Sequence, residues 1–388
     1  MDFFIYDYII IGGGIGGLYA NYILSQKYNT LLLEAENELG GRIRETKFHD
    51  KIIKTGAGIG TSENKHLFNL LDKLKIKYST NLSEIKTLST DLTFNMNMAV
   101  ELVRQKYIEL NKENNKDIYK LNVKQFIKKY FGKDFLIKYI KNSEFYDYLN
   151  CDITYYIKYY DISDSNHLSQ NIYFISWTEL LNKLKMNNCL TNYKVNKIVK
   201  YNKIYLINDE YYCKKIVFAL TLKPLQKLLN QIIQINIKKY LYSVPFCRIY
   251  TYHQKEIPPI DKYLIVNNEL QKIIYMSDHM MMISYNDSHN TTFWEKELEN
   301  FDKKKQLKKI NNKIKDLNLN IPPANDIHIT FWNEGVHYFK PNKNIKNTIH
   351  KLNHPIKNIY IVGEIVSFKQ GWVEGAIESV DRVFHKYI

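Results

Sequence analysis

Arginine is scarce in this 388-residue chain: of 55 basic residues, only Arg42, Arg44, Arg104, Arg248 and Arg382 are arginine, and lysine supplies the rest. The lysines are spread along a sequence also rich in Asn, Ile and Tyr, which is the coding bias of an AT-rich genome. Against that background a surviving arginine marks a position that uses the planar, forked guanidinium. Basic blocks with interleaved aromatics are lacking, as are the signatures of the usual nucleic-acid folds. The net charge of +15 therefore reads as a solvated lysine surface, and no specific nucleic-acid partner is expected. Cysteine is rare too. Cys151, Cys189, Cys213 and Cys247 are widely spaced, with no CxxC and no His at ligand spacing, which points to reduced thiols in a cytoplasmic protein and to no metal site. No apolar run approaches the roughly 20 residues that span a bilayer. Met1 to Ile11 is apolar but has no basic leader and runs straight into glycines, so it reads as a first strand, not a signal peptide. No membrane or tail anchor is expected.

What is present is a globular composition, 45% hydrophobic and 24% charged, in a chain long enough for two interleaved domains. Tyr6 to Ile11 is an unbroken β-rich run, suited to a strand buried on both faces. Gly12, Gly14 and Gly17 then fit GxGxxG, Leu18 to Lys27 carries apolar residues at helical spacing, and Thr30 to Leu33 is a second apolar run ending in Glu34. In such a strand, turn, helix, strand unit the first glycine permits the tight turn. The second lets backbone, with Ile15 beside it, approach a pyrophosphate, and the third lets helix and strand pack. Unpaired N–H groups and the helix dipole favour the anion. Glu34 is placed to accept ribose hydroxyls.

The middle of the chain is less legible. Ser62 is a candidate cap for a helix carrying Leu67, Phe68, Leu71 and Leu74, and helical spacing recurs in Ala99–Leu110, Val123–Phe131 and Ile175–Leu184. Short strands are expected around Tyr193–Ile198, Ile204–Ile207 and Ile216–Leu220, with Asn208 and Asp209 forming a hairpin turn. Ile359 to Val362 reads as a strand leading to Gly363, Glu364 and a helix from Trp372.

The run EAENELGGRIRE, with Gly40, Gly41 and Arg42, resembles the flavin-containing amine oxidase superfamily, in which an acidic strand end and a GGR element contact FAD. KTGAGIG, with Gly56 and Ala57, is similar to the family's glycine-alanine stretch beside the flavin, although Lys54 stands where an acid is common. Val195 and Ile198 match an adenine-contacting strand. YIVGEIVSFKQGWVEGAIES matches the closing motif, with Val380 replacing its final glycine. The resemblance implies an α/β fold with an FAD-binding Rossmann-like domain of the GR2 type, assembled from 1–75, 185–235 and 345–388. An α+β substrate domain is inserted as 76–184 and 236–344. It also implies that Gly363 and Glu364 contact the ribityl or phosphate region, that Trp372 and Val373 face the flavin edge, and that Ala376 helps to bind the cofactor.

The activity implied is hydride transfer from a primary or secondary amine to flavin N5, with reoxidation by oxygen. Trp372, and His337 or Tyr338, match the aromatic positions that frame the amine. One departure bears on the chemistry. In SVPFCRIYTYH, Arg248 stands where many members carry lysine, and arginine is no proton acceptor near neutral pH. A desaturase, porphyrinogen oxidase or sugar mutase-like enzyme, an amino-acid substrate, or an inactive FAD-binding protein therefore remain alternatives. The oligomeric state is not legible.

Overall fold

The computed structural model describes residues 4–81, 87–88, 94–160, 172–260, 263–342 and 344–384; Met1 to Phe3 of the first apolar run lie outside them. The first strand, β1 (Ile5–Ile11), leads through the helix α1 (Ile15–Leu24) to β2 (Thr30–Leu33). β1 and β2 pair in parallel, with Ile11 opposite Leu33. On its other side β1 pairs in parallel with Tyr211–Phe218, which also pairs in parallel with Ile359–Ile361. The carboxyl ends Leu33, Ile11, Phe218 and Ile361 are therefore aligned along one edge of a seven-stranded sheet. Ligands of open α/β sheets bind outside that edge.

Period-2 alternation along β1 decides its packing. Ile9 and Ile11 join a core with the helices Met96–Lys112 and Val123–Lys141, whereas Tyr8 and Ile10 join a second core with α1 and the helix Val373–Phe384. Burying each such isoleucine contributes about 2 kcal/mol, which is why this strand reads as continuously apolar.

A six-stranded sheet follows the order Asp326–Phe339, Leu241–Tyr252, Met280–Asp287, Lys272–Ser277, Tyr263–Ile265, Thr87–Leu88. Cys247 and Ile249 point into a core closed by Trp294, Leu298, Ile310 and Ile314 from the helices Ser288–Leu298 and Lys303–Asp316. Alternation sends Phe246, Arg248 and Tyr250 to the opposite face. The register shifts at Pro245, as expected for a residue with no N–H in a ladder. Gly335 on the facing strand leaves room for the Phe246 ring, which an added Cβ would meet at 2.2 Å.

Two local expectations are corrected. Ser62 does not cap the helix Lys65–Lys73, which starts after Asn64 without a side-chain cap; the Glu374 carboxylate, 307 residues on, accepts the Leu67 N–H at 2.8 Å and the His66 N–H at 3.1 Å. Tyr193–Lys197 is not strand either. The Tyr193 N–H is taken by Glu34 O and those of Asn196 and Lys197 by the Asn208 side chain, and the strand begins at Ile198. The hairpin turn is as expected, with φ of 49° at Asn208 and 59° at Asp209.

Candidate functional site

The turn after β1 brings the chain's distant glycine motifs together. Gly12 has φ of +107° and donates to Leu33 O at 2.9 Å, and a Cβ at Gly17 would meet Gly12 O at 1.9 Å, so this turn closes only with glycine at both places. Gly14 precedes α1, which has no acidic residue in its first turn and no side-chain cap. The leading N–H groups of α1, from Ile15 onward, thus lack a side-chain acceptor at a helix terminus that favours anions. A Cβ at Gly14 would meet nothing within 4 Å among the described residues. The space beside it is open, as a phosphate cradle requires.

Glu34 is oriented by the same turn: its Oε2 accepts the Gly13 N–H at 2.5 Å and its Oε1 the Glu36 N–H at 2.9 Å. Tyr193 N–H donates to Glu34 O, which carries the segment leading to the nearly buried Val195 alongside. Gly41 lies 3.4 Å, measured from an added Cβ, from Gly14 Cα, and a bridge joins Gly14 to Gly40. Gly56 fits directly under Arg42 O, and the Ala57 N–H donates to that oxygen at 2.8 Å. From the far end of the sequence, Gly363 Cα comes within 3.2 Å of an added Cβ at Gly16, with Ala376 also at its side.

Charge is concentrated at one carboxylate. Arg42 donates to Glu364 Oε1 at 2.5 Å and to Gly335 O at 2.7 Å, while His337 Nδ1 lies 2.5 Å from the same Glu364 oxygen. The Leu222 N–H lies 3.2 Å from His337 Nε2, and His337 Nδ1 faces Glu364 and donates to it. Burial alone would push the Glu364 carboxyl up, but His337 and Arg42 outweigh it and hold it at about 2. His337 itself is fully buried, with both ring nitrogens engaged. Its neighbour Tyr338 points to the other side of the strand, where its hydroxyl donates to Asp147 at 2.9 Å and lies 3.5 Å from an added Cβ at Gly371. The half-buried Trp372 follows Gly371, and Val373 begins the last helix.

Arg248 sits apart from the Glu364 cluster and against the glycine-alanine stretch. Its NH1 donates to Lys54 O at 2.7 Å, its guanidinium lies 4.5 Å from the centre of the Tyr285 ring, and an added Cβ at Gly58 would be 3.5 Å from NH2. Lys54 Nζ donates to Gly58 O at 2.9 Å and Ile175 O at 2.8 Å, and burial lowers its pKa to about 8. A second buried cation, Lys272, lies on the next strands beside the rings of Phe145 and Tyr285, with Glu144 at 3.8 Å.

Residue-type reasoning missed Lys272, Asp147 and Tyr285. A lysine or tyrosine carries no signal in so lysine- and tyrosine-rich a chain. The Lys54 substitution was visible, but its neighbour across the sheets was not. No cluster of His, Cys, Asp or Glu fit to hold a metal occurs among the described residues, nor any helix long and apolar enough to cross a membrane.

A family model for an NAD(P)-binding Rossmann-like domain matches residues 10–74, which span the turn, Glu34, Arg42 and the glycine-alanine stretch. Among solved structures, the chain is similar to cyclohexylamine oxidase from Brevibacterium oxydans IH-35A, with TM-score 0.77, 13% identity and 99% of each chain covered. It is also similar to a putrescine oxidase double mutant with redesigned cofactor binding, with TM-score 0.74, 11% identity and the same coverage. The resemblance read from the motifs is thus borne out at the level of the fold: this chain has a dinucleotide-binding Rossmann-like domain within the overall fold of these amine oxidases.

Proposed function

We propose that the protein is an FAD-dependent oxidoreductase that oxidises a small amine by passing a hydride equivalent from its α-carbon to the flavin, with oxygen as the final acceptor. The observation that carries this reading is the meeting of three motifs at one helix terminus. Gly41 lies against Gly14, and Gly363 against Gly16, although more than 300 residues separate the first motif from the last. The open space at Gly14 fits a phosphate. Helix and strand packing alone gives no reason for that glycine.

In this reading the backbone of Gly12, Gly14, Ile15 and Gly17 holds the pyrophosphate and Glu34 the adenosine ribose, with Val195 at the adenine. Gly41, Arg42, Gly56, Ala57, Gly363 and Glu364 line the remaining length, and Trp372, Val373 and Ala376 meet the flavin edge. The N–H groups of the last helix would favour negative charge there. The cofactor supplies the redox chemistry, while the chain orients the amine, excludes water and sets the local charge. Segments 1–75, 185–235 and 345–388 would form the cofactor domain, and 76–184 and 236–344 the substrate domain. Four unpaired cysteines support a reducing, cytoplasmic location.

Anaerobic mixing with monoamines, polyamines and amino acids tests the activity: at least one class should bleach the visible flavin absorbance, and peroxide should form when air is admitted. A flavin that no amine bleaches would favour the second reading, a non-oxidase flavoenzyme or an inactive FAD-binding protein. The observation behind that reading is Arg248 at the strand position where the resemblance implies lysine.

A further inference from the structure

We infer that Arg248 and Lys54 form a subsite for the carboxylate of the substrate, so that the amine oxidised is an amino acid. The inference rests on the proposed oxidoreductase reading and names its substrate class.

The first support is an imbalance of charge. Arg42 pairs with Glu364, Arg44 with Glu38 and Arg382 with Glu378, and Arg104 is exposed. Arg248 is only 5% exposed. Among the described residues no carboxylate pairs with it: its contacts are Lys54 O, the Tyr285 ring and the hydroxyls of Tyr250 and Tyr285, and its Nε has no hydrogen-bond partner. A buried guanidinium without an anion is costly, and an N–H left unmade adds to the cost. The neighbouring buried cation, Lys272, shows the usual solution, with Glu144 at 3.8 Å and the field of Asp287 and Asp147 around it.

The second support is the cation placed beside it. Lys54 comes from the strand Lys51–Lys54 and is itself without a paired carboxylate among the described residues, its ammonium resting on Gly58 O, Ile175 O and the rings of Phe174 and Trp177. Burial does most to lower the Lys54 pKa; the nearby Glu45 carboxylate opposes that shift, and the smaller repulsion from Arg248 adds to it. Two cations from adjoining segments, each held by backbone carbonyls and aromatic rings, create a site that an anion would stabilise. The planar fork of arginine favours a carboxylate over a spherical anion. Gly58 lies against the guanidinium, whose NH2 is 3.5 Å from an added Cβ, so the charge sits beside the stretch assigned to the flavin. An α-amino acid held there by its carboxylate has its α-carbon one bond from the anchored group.

The test is calorimetric titration of the purified protein with benzoate, which offers the carboxylate but no oxidisable amine, against benzamide at the same ionic strength. Flavin content is measured separately on the same sample, so an empty cofactor site would sink the oxidoreductase reading while the titration still decides the subsite. Benzoate should bind saturably and benzamide at least about 30-fold more weakly. Arg248→Met should weaken benzoate at least about 30-fold and Arg248→Lys by less, with melting curves confirming that both variants fold. Wild-type affinity should also fall as pH rises through about 8, where Lys54 loses its proton. The groups facing it are Arg248 and Glu45, and Lys54→Gln should flatten that profile. Equal binding of benzoate and benzamide, or benzoate affinity unmoved in both folded Arg248 variants, would overturn the assignment.

Discussion

Gly14 and Gly17 stand three residues apart, yet replacing them should give opposite results. A methyl at Gly17 runs into Gly12 O at 1.9 Å, so Gly17→Ala should destabilise the fold by about 3 kcal/mol or more, read as the urea midpoint. At Gly14, where φ is −70° and nothing among the described residues lies within 4 Å, alanine should leave the midpoint within about 1 kcal/mol while FAD binding weakens at least about 10-fold. If Gly14→Ala kept full FAD affinity, the open space would not be a phosphate cradle. Glu364 gives a second test at this scale. Because its carboxyl is held at about 2 against an ordinary 4.5, it binds fewer protons folded than unfolded. Its contribution, on the order of 3 kcal/mol, is complete above pH 4.5 and is lost as pH falls toward 2. Glu364→Gln should remove this part of the acid dependence, measured by urea melts at pH 7, 4.5 and 3. The two types of residue differ in how visible they were. The glycine pattern announced itself, and so did Glu364, but His337 is one of two adjacent aromatic residues on a strand. Sequence alone offers no way to tell which of His337 and Tyr338 takes which face, and hence that His337 spends both nitrogens on Leu222 and Glu364.

Among the elements, those fixed by local chemistry were legible and those fixed by distant partners were not. The unit of β1, α1 and β2 and the Asn208–Asp209 hairpin follow from period, glycine and turn residues. The helix Lys65–Lys73 follows from its apolar spacing, but its start does not, because Glu374 caps it from the far end of the chain. Glu374→Ala should therefore cost about 1–2 kcal/mol, as losing a local cap would, and amide exchange should rise first at His66 and Leu67. Unchanged exchange there would mean that the first turn does not depend on the carboxylate. The six-stranded sheet was the least legible element. Its strand Lys272–Ser277 begins with a buried lysine, which sequence patterns read as a surface residue, and its longest strand, Asp326–Phe339, mixes polar and apolar residues because one face meets the site.

For the whole molecule, the net charge of +15 gives a positive long-range field. Such a field draws anionic or zwitterionic substrates and repels polycations at long range. Accordingly, kcat/KM for an amino acid should fall as salt is raised from 20 to about 300 mM, as the Debye length shrinks to less than about 10 Å, whereas for a diamine it should rise. The opposite pair of slopes would argue for a polyamine substrate and for local acids overriding the net charge. All of this depends on the dinucleotide. The most direct measurement is the cofactor released from the purified chain by acid precipitation and identified by chromatography, taken with the visible spectrum before release. The account predicts FAD at close to one per chain, and less in Gly14→Ala. A chain that carries no flavin and takes up none when incubated with FAD would contradict it.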